Sequence, residues 1–187
     1  MKKLILSAAA VLVFGFTNAQ DMKFGVKGGL NFANVSGEGN FKNKIGFNVG
    51  AFAEIGVSDS FAVQPELLFS TQGANASEGD GSFNLNYINI PVMAKFKVAE
   101  GFSLQAGPQF GLLMTATAKG GGESLDIKEG FKTLDLGLNF GAGYDINENI
   151  MVDLRYNLGL GGLVKDLPSG ATDSNNRVIA LSIGYKF

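Results

Sequence analysis

Alternation of bulky apolar residues with small or charged residues is the pattern that most constrains how this chain can fold. The final segment shows it up to the last residue: Ile179, Leu181, Ile183, Tyr185 and Phe187 alternate with Ala180, Ser182, Gly184 and Lys186. A period of two places these sets on opposite faces of a β-strand. Each face therefore meets a different environment, and a terminal strand of this kind must pair with a neighbour.

Seven earlier segments carry the same alternation. With the final segment, they lie at about 22–34, 45–57, 61–72, 84–98, 102–116, 133–146, 150–160 and 179–187. Three-residue turns alternate with longer polar stretches: the turns are 58–60, 99–101 and 147–149, and the long stretches are 35–44, 73–82, 117–131 and 163–176. Tight connections join antiparallel neighbours as hairpins. The sequence therefore predicts an all-β fold of eight antiparallel strands in up-and-down order.

The short turns predict a register for three hairpins. If each turn pairs the residues that flank it, the closing pairs are Val57 with Phe61, Val98 with Phe102 and Ile146 with Ile150. The next pairs outward are Ile55 with Val63, Phe96 with Leu104 and Tyr144 with Val152. Apolar residues face apolar residues throughout, whereas a slip by one residue would place them opposite polar ones.

The number of residues on the apolar face indicates whether this face lines the lumen or contacts lipid. A soluble ligand-binding barrel would turn this face inward, but it holds roughly 45 residues, too many for the narrow interior of eight strands. The other face is rich in glycine, which suits a crowded interior. Strands of this length span the apolar part of a bilayer, and closure removes every sheet edge. We therefore predict an eight-stranded antiparallel up-and-down transmembrane β-barrel, with its short turns and both termini in the periplasm.

The first residues have the pattern of a secretory signal peptide. Lys2 and Lys3 precede an apolar run from Leu4 to Phe16, and small residues at 17–19 offer a cleavage site. A spanning helix is the alternative, but it needs about 20 apolar residues. We expect a signal peptide at 1–19 and one outer-membrane β-barrel domain at 20–187.

Two features fit the alternation poorly. Prolines fall inside predicted strands, where each removes a ladder donor, and we expect β-bulges at all three: Pro65, Pro91 and Pro108. Large apolar residues also fall on the predicted inner face, where we interpret them as internal packing: Phe52, Leu68, Met93 and Leu113.

Charges of both signs fall on the predicted inner face. The basic residues are Lys23, Lys27, Lys95, Lys97, Arg155 and Lys186, and the acidic ones are Glu54, Glu66, Asp135, Asp145 and Asp153. Unpaired charge is costly in a narrow lumen, so these groups should pair across it. The predicted site is a lumen charge cluster of Lys27, Glu54, Glu66, Lys95, Asp153 and Arg155, with Gly141 opposite Arg155 leaving room for the guanidinium. We interpret it as a polar plug; a proton path or solute gate is the alternative.

The composition argues against several functional classes. The chain has no Cys, His or Trp, and its net charge of −2 offers no basic patch for nucleic acid. Without His, the one plausible acid–base pair is Glu54 with Glu66, which nearby lysines should neutralise. The acidic stretches 78–80 and 166–173 lack the ligand spacing of a known calcium loop. We expect no enzyme activity, no catalytic residue, no cofactor and no metal site.

Several motifs resemble those of the PorT-like outer-membrane β-barrel family of Bacteroidetes-type bacteria. They are 23–31 (KFGVKGGLN), 64–70 (QPELLFS), 87–91 (YINIP), 135–137 (DLG), 155–156 (RY) and 184–187 (GYKF). Asn89 stands where the family commonly has an acidic residue. The resemblance covers about 22–187 and implies an outer-membrane location, contact with outer-membrane lipid and assembly by the barrel insertion machinery. It supplies no catalytic residues.

Three functions remain open at this point. The first is a structural or interaction role, in which four external loops contact a surface or protein partner. The second is porin-like passage of solutes or protons through the lumen. The third is a role in protein secretion, which the family's namesake supports. A lipid-modifying enzyme ranks below these three.

Overall fold

The computed structural model describes residues 22–36, 41–76, 80–165 and 174–187. The expected signal peptide at 1–19 and the stretch 166–173 lie outside the described residues, as does most of 78–80. Within the described ranges, no helix is long and apolar enough to cross a membrane.

The structure is almost entirely β-strand. The strands are β1 (Met22–Ser36), β2 (Phe41–Ser58), β3 (Phe61–Ala76), β4 (Ser82–Ala99), β5 (Phe102–Gly120), β6 (Glu123–Asp126), β7 (Leu134–Asp145), β8 (Ile150–Gly159) and β9 (Asn175–Lys186). Their order in the sheet is β4-β3-β2-β1-β9-β8-β7-β5, and pairing of β4 with β5 closes it. Every pairing is antiparallel. The predicted eight-stranded up-and-down barrel is confirmed, with β6 as a short addition to the edge of β5.

The stretch predicted as a loop at 117–131 contains regular structure. β5 continues to Gly120, and β6 folds back on it with Thr117 opposite Asp126. A 3₁₀ helix, Lys128–Gly130, follows. The turn needs glycine, because Gly121 and Gly122 both have positive φ angles, of 58° and 83°. The alternation of apolar and polar residues in 117–131 is too short, and the residues are too polar, for the sequence to indicate a strand.

Two of the predicted closing pairs are wrong by one residue. Ser58 pairs with Phe61 and Ala99 pairs with Phe102, so each turn has two residues and the register shifts just before it. In each case the strand before the turn carries one extra residue, which forms a β-bulge. The bulge absorbs that residue, so the pairs further from the turn keep the predicted register.

The predicted register of the hairpins is confirmed beyond the turns. The observed pairs include Ile55 with Val63, Phe96 with Leu104 and Tyr144 with Val152. In the third hairpin, the Ile146 N–H donates to the Ile150 carbonyl at 2.8 Å, which supports the predicted closing pair.

The bulges predicted at the prolines are wrong. Pro65 pairs with Val92, Pro91 with Gln109 and Pro108 with Leu138, and the register is the same on both sides of each proline. In an antiparallel sheet, each residue bonds to one neighbouring strand, so a proline costs one hydrogen bond and requires no shift. Away from the turns, shifts instead occur between 43 and 48 and between 86 and 87.

The two faces of the barrel have opposite character. Large apolar side chains point outward and are exposed, whereas the inward side chains are buried and mostly polar. Phe52, Leu68, Met93 and Leu113 are buried inside, as predicted. This arrangement excludes a soluble barrel with an apolar lumen and presents the apolar face to lipid.

Candidate functional site

The lumen holds a group of four charged side chains from three strands, β1, β3 and β8. Arg155 donates to Glu66 Oε1 from Nη1 at 2.8 Å and to Asp153 Oδ2 from Nη2 at 3.1 Å. The Lys27 ammonium lies 2.6 Å from Asp153 Oδ2 and 3.5 Å from Glu66 Oε2. All four side chains are almost completely buried. The group therefore forms a closed ring of alternating charge inside the barrel.

A second group of charges lies closer to the short turns. Lys95 Nζ lies 2.6 Å from Glu54 Oε2, and Lys186 Nζ lies 3.2 Å from the same oxygen. Lys186 also contacts Asp145 Oδ1 at 2.9 Å. One glutamine joins the two groups, because Gln64 donates to Glu66 at 2.6 Å and accepts a hydrogen bond from Lys95 at 3.1 Å.

Together these residues form what we call the ion network. It contains four cations and four carboxylates, so its formal charge is zero: Lys27, Lys95, Arg155 and Lys186 with Glu54, Glu66, Asp145 and Asp153. Desolvating an ion is expensive, and pairing offsets that cost only when the geometry and further hydrogen bonds are good. Gln105 supplies such bonds, accepting from Arg155 Nε at 3.0 Å and donating to Asp153 at 2.8 Å.

All six residues of the predicted lumen charge cluster lie in the ion network. Two more inward charges, Asp145 and Lys186, join them. Lys23 and Lys97 instead line the mouth at the short-turn end. Sequence reasoning missed the glutamines Gln64 and Gln105, although their inward positions in the alternation of β3 and β5 could have indicated them.

Toward the long-loop end, the lumen carries uncharged polar side chains. Ser182 donates to Asn48 at 3.1 Å, Asn48 to Asn31 at 2.7 Å and Asn31 to Ser70 at 2.9 Å. Gln72 continues this chain by donating to Ser70 and accepting from Asn176. A second chain runs from Asn157 through Asn139 to Gln109. Hydrogen bonds across several strands thus satisfy most of these buried amides.

An apolar cluster covers the long-loop end. Its buried members come from β4, β5 and the segment after β8: Leu85, Tyr87, Leu113, Ala116 and Leu163. Phe131 and Val164 pack against them and form a β-bridge with each other. The stretches predicted as separate loops at 117–131 and 163–176 are therefore joined, and the Lys132 N–H also donates to the Leu163 carbonyl at 2.8 Å.

Described residues line two open spaces along the lumen. Between the ion network and the apolar cluster, a cavity of about 40 Å³ is lined mainly by polar residues, including Asn48, Gln109 and Arg155. At the short-turn end, a wider mouth of about 420 Å³ has basic and acidic residues on its walls, among them Lys23, Lys97 and Glu148.

The carboxylates of the ion network are all paired with cations. Each carboxylate of the candidate pair Glu54 and Glu66 is held by its own cationic partners, so neither is placed as a free base. Across the described part of the chain, no group of three or more His, Cys, Asp or Glu side chains could hold a metal ion.

Comparison with known proteins identifies a family and a fold. A family model described as "Outer membrane protein beta-barrel domain" matches residues 18–165. A comparison with curated proteins finds no match.

Two solved structures illustrate the fold. Neisserial surface protein A (NspA) is 16% identical, with a TM-score of 0.64 over 90% of this chain and 100% of that chain. The second is Ail, the attachment invasion locus protein of Yersinia pestis, whose structure was determined in complex with the heparin analogue sucrose octasulfate. Ail is 18% identical, with a TM-score of 0.55 over 90% of this chain and 100% of that chain. At these identities, the likeness is one of fold.

Proposed function

This chain belongs to the family of outer membrane protein beta-barrel domains, and on that premise we propose that it is a non-enzymatic barrel closed to solutes. Its place is the outer membrane. In this proposal the barrel is a rigid support, and the long loops outside the cell make its functional contacts with a surface polymer or a protein partner. Outer-membrane lipid and the barrel insertion machinery are the other partners that we propose.

The ion network is the observation that carries this proposal. It links strands on different sides of the lumen, because Lys27 of β1 pairs with Asp153 of β8 while Arg155 of β8 reaches Glu66 of β3. A permeating ion or solute would have to separate these buried pairs. Breaking such a pair typically costs about 3–5 kcal/mol, so the resting lumen should not conduct.

Planar-bilayer recording tests the closed lumen. We expect the mature barrel to give no large steady conductance, since the ion network and the apolar cluster lie in series along the lumen. The matched control is the same lipid and detergent without protein. A steady, porin-sized current from the purified barrel would contradict the proposal and favour passage of solutes.

The long-loop end supports an interaction role. The β5–β6 hairpin projects beyond the barrel, and its Leu125 side chain is 63% exposed. The hairpin base is fixed, because the Ile127 N–H donates to the Ala116 carbonyl at 2.9 Å. A fixed hairpin with an exposed apolar residue near its base suits a protein or polymer contact.

Site-specific crosslinking tests that role. A photo-crosslinker attached to a Gly120→Cys variant should trap a surface partner on intact cells, because no atom lies within 4 Å of a Cβ at this position. The matched control carries the same crosslinker at an Asp59→Cys variant in a short turn. Equal products from both positions, or none from Gly120, would count against the loops as the contact surface.

A narrower placement in the PorT-like group is also part of this proposal. It is supported by the motifs at 64–70 and 184–187, and it leads to a secretion role as the alternative. Co-purification with secretion components would favour that alternative. Ail, crystallised with a heparin analogue, shows that a barrel of this fold can hold a sulfated ligand, but the likeness does not transfer that ligand to this chain.

A further inference from the structure

Asp135 is an inward carboxylate that lies apart from the ion network. It stands at the start of β7, opposite Gly111 of β5, toward the long-loop end of the lumen. Among the ion pairs formed by the described residues, none involves Asp135. The eight charges of the network already sum to zero, so none of its cations is left over to neutralise Asp135.

The absence of a side chain at Gly111 lets the residues around this carboxylate pack closely. A Cβ at Gly111 would lie 3.0 Å from Asn89 Oδ1, 3.3 Å from the Asp135 Cβ and 3.4 Å from Tyr87 Cδ1. Asn89, Tyr87 and Asp135 therefore surround the position where a side chain would otherwise stand. The Asn176 side chain of β9 donates a hydrogen bond to the Asp135 carboxylate.

Oxygen atoms without hydrogen-bond partners are concentrated around Asp135. They are Asp135 Oδ1, the Tyr87 hydroxyl and Asn176 Oδ1, and each is inaccessible to solvent. The Tyr87 and Asn176 side chains belong to residues that are only 1% exposed. The Asp135 carboxylate interacts electrostatically with the Tyr87 hydroxyl. Buried polar atoms normally have hydrogen-bond partners or bind an ion or water, so three such oxygens near one carboxylate form a candidate ligand site.

We propose that Asp135, Tyr87 and Asn176 form a binding site for a monovalent alkali cation, sodium or potassium. Such hard cations are bound by carboxylate, amide and hydroxyl oxygens, the donor types present here. One positive charge neutralises the one carboxylate, and the single carboxylate disfavours a divalent ion. The site is distinct from the ion network and goes beyond the proposed closed-barrel function.

The apolar cluster explains how such an ion would be retained. Tyr87 itself belongs to this cluster, and Leu113 and Leu163 cover the same end of the lumen. Coulomb attraction is strong where water is excluded. A cation beside Asp135 would therefore stabilise the closure of the long-loop end.

Urea unfolding of the mature barrel in detergent micelles tests the site. Sodium chloride or potassium chloride is compared with N-methylglucamine chloride, a bulky organic cation, at constant ionic strength and neutral pH. We expect a higher unfolding midpoint in the alkali salts, rising with the logarithm of their concentration, because an ion that binds only the folded state stabilises it. An Asp135→Asn variant should lose this dependence, and a Tyr87→Phe variant should reduce it.

An Asp80→Asn variant is the matched control, since it removes an exposed carboxylate near the same end of the barrel; it should keep the wild-type dependence. Equal wild-type unfolding midpoints in the three salts would overturn the proposal. In that case Asp135 is protonated or hydrated and binds no alkali cation. Retention of the dependence by Asp135→Asn would also overturn it. Should that variant fail to fold, sodium NMR line broadening by the wild-type barrel, reversed by excess potassium, decides the question, and absence of broadening rejects the site.

Discussion

The Arg155 side chain binds several partners in the lumen at once. Its guanidinium contacts Glu66, Asp153 and Gln105 through three different nitrogens. The planar fork of arginine suits such multiple contacts better than the point charge of lysine. The strand opposite carries Gly141, and the observed Gly141–Arg155 pairing matches the predicted one.

Removal of the guanidinium should destabilise the barrel strongly. An Arg155→Met variant keeps much of the side-chain volume but leaves Glu66 and Asp153 with Lys27 as their only cation in the ring. Truncation of one partner of a buried pair typically costs about 3–5 kcal/mol. The free energy of unfolding in urea, measured in micelles, checks this. Lys97→Met, at an exposed lysine, is the control and should change stability by less than about 0.5 kcal/mol.

Two glycines on opposite faces should respond differently to alanine. A Cβ at Gly141 would lie 2.8 Å from Arg155 Cγ and press on the Leu154 carbonyl, whereas a Cβ at Gly28 has Asn48 O, at 3.6 Å, as its nearest neighbour. Gly141→Ala should therefore cost about 1–3 kcal/mol through overpacking. Gly28→Ala should be neutral or stabilising by up to about 1 kcal/mol. Urea midpoints check both, and equal effects would contradict the assignment of the two faces.

At the scale of the strand, alternation places each element between lipid and a filled interior. Along β9, Ser182 and Lys186 are buried while Leu181 and Tyr185 are exposed to lipid. The bulges before two short turns preserve this division, because they restore the pairing of apolar residues within a few positions. A strand therefore accommodates a bulge at its end more readily than a register shift that would turn its apolar side chains into the lumen.

A charge on the lipid face should cost more near the middle of a strand than near its end. Leu181 lies centrally in β9 and is 47% exposed, whereas Val57 adjoins a short turn and is 60% exposed. Leu181→Lys should cost about 2–4 kcal/mol and Val57→Lys about 0–1 kcal/mol. Unfolding in urea from lipid vesicles provides the measurement. A neutral Leu181→Lys would mean that this face does not contact hydrocarbon.

At the scale of the whole molecule, closure turns a sheet into a barrel with two different ends. Strands β4 and β5 pair, so the described barrel strands leave no open edge to hydrocarbon. Short turns lie at one end, and the β5–β6 hairpin with its joined neighbouring segment lies at the other. In barrels of this class the short turns are periplasmic.

Labelling of single cysteines tests this orientation. The chain has no Cys, so the protein without an introduced Cys is not labelled. A bulky maleimide that cannot cross the outer membrane should label a Gly120→Cys variant on intact cells. An Asp59→Cys variant should react only after the outer membrane is permeabilised. The reverse pattern would place the short turns outside.

The sequence predicted most of the fold, because alternation along a strand is a local property. Pairs such as Tyr144–Val152 and Gly141–Arg155 were predictable, since the short turns fix the register of neighbouring strands. The details at the turns were not predictable in the same way. A three-residue turn and a two-residue turn with a bulge lead to the same pairs further along the strand.

The amino-acid sequence by itself determined the eight barrel strands, their two faces and most of the charges that enter the lumen. Only the tertiary structure decided how those charges pair. Lys27 and Asp153 are 126 positions apart and meet because the barrel closes. The separation of Asp135 from the ion network has the same origin. Periodicity defines a direction for each side chain, whereas contact across a lumen depends on closure, strand stagger and side-chain reach, which are properties of the assembled barrel.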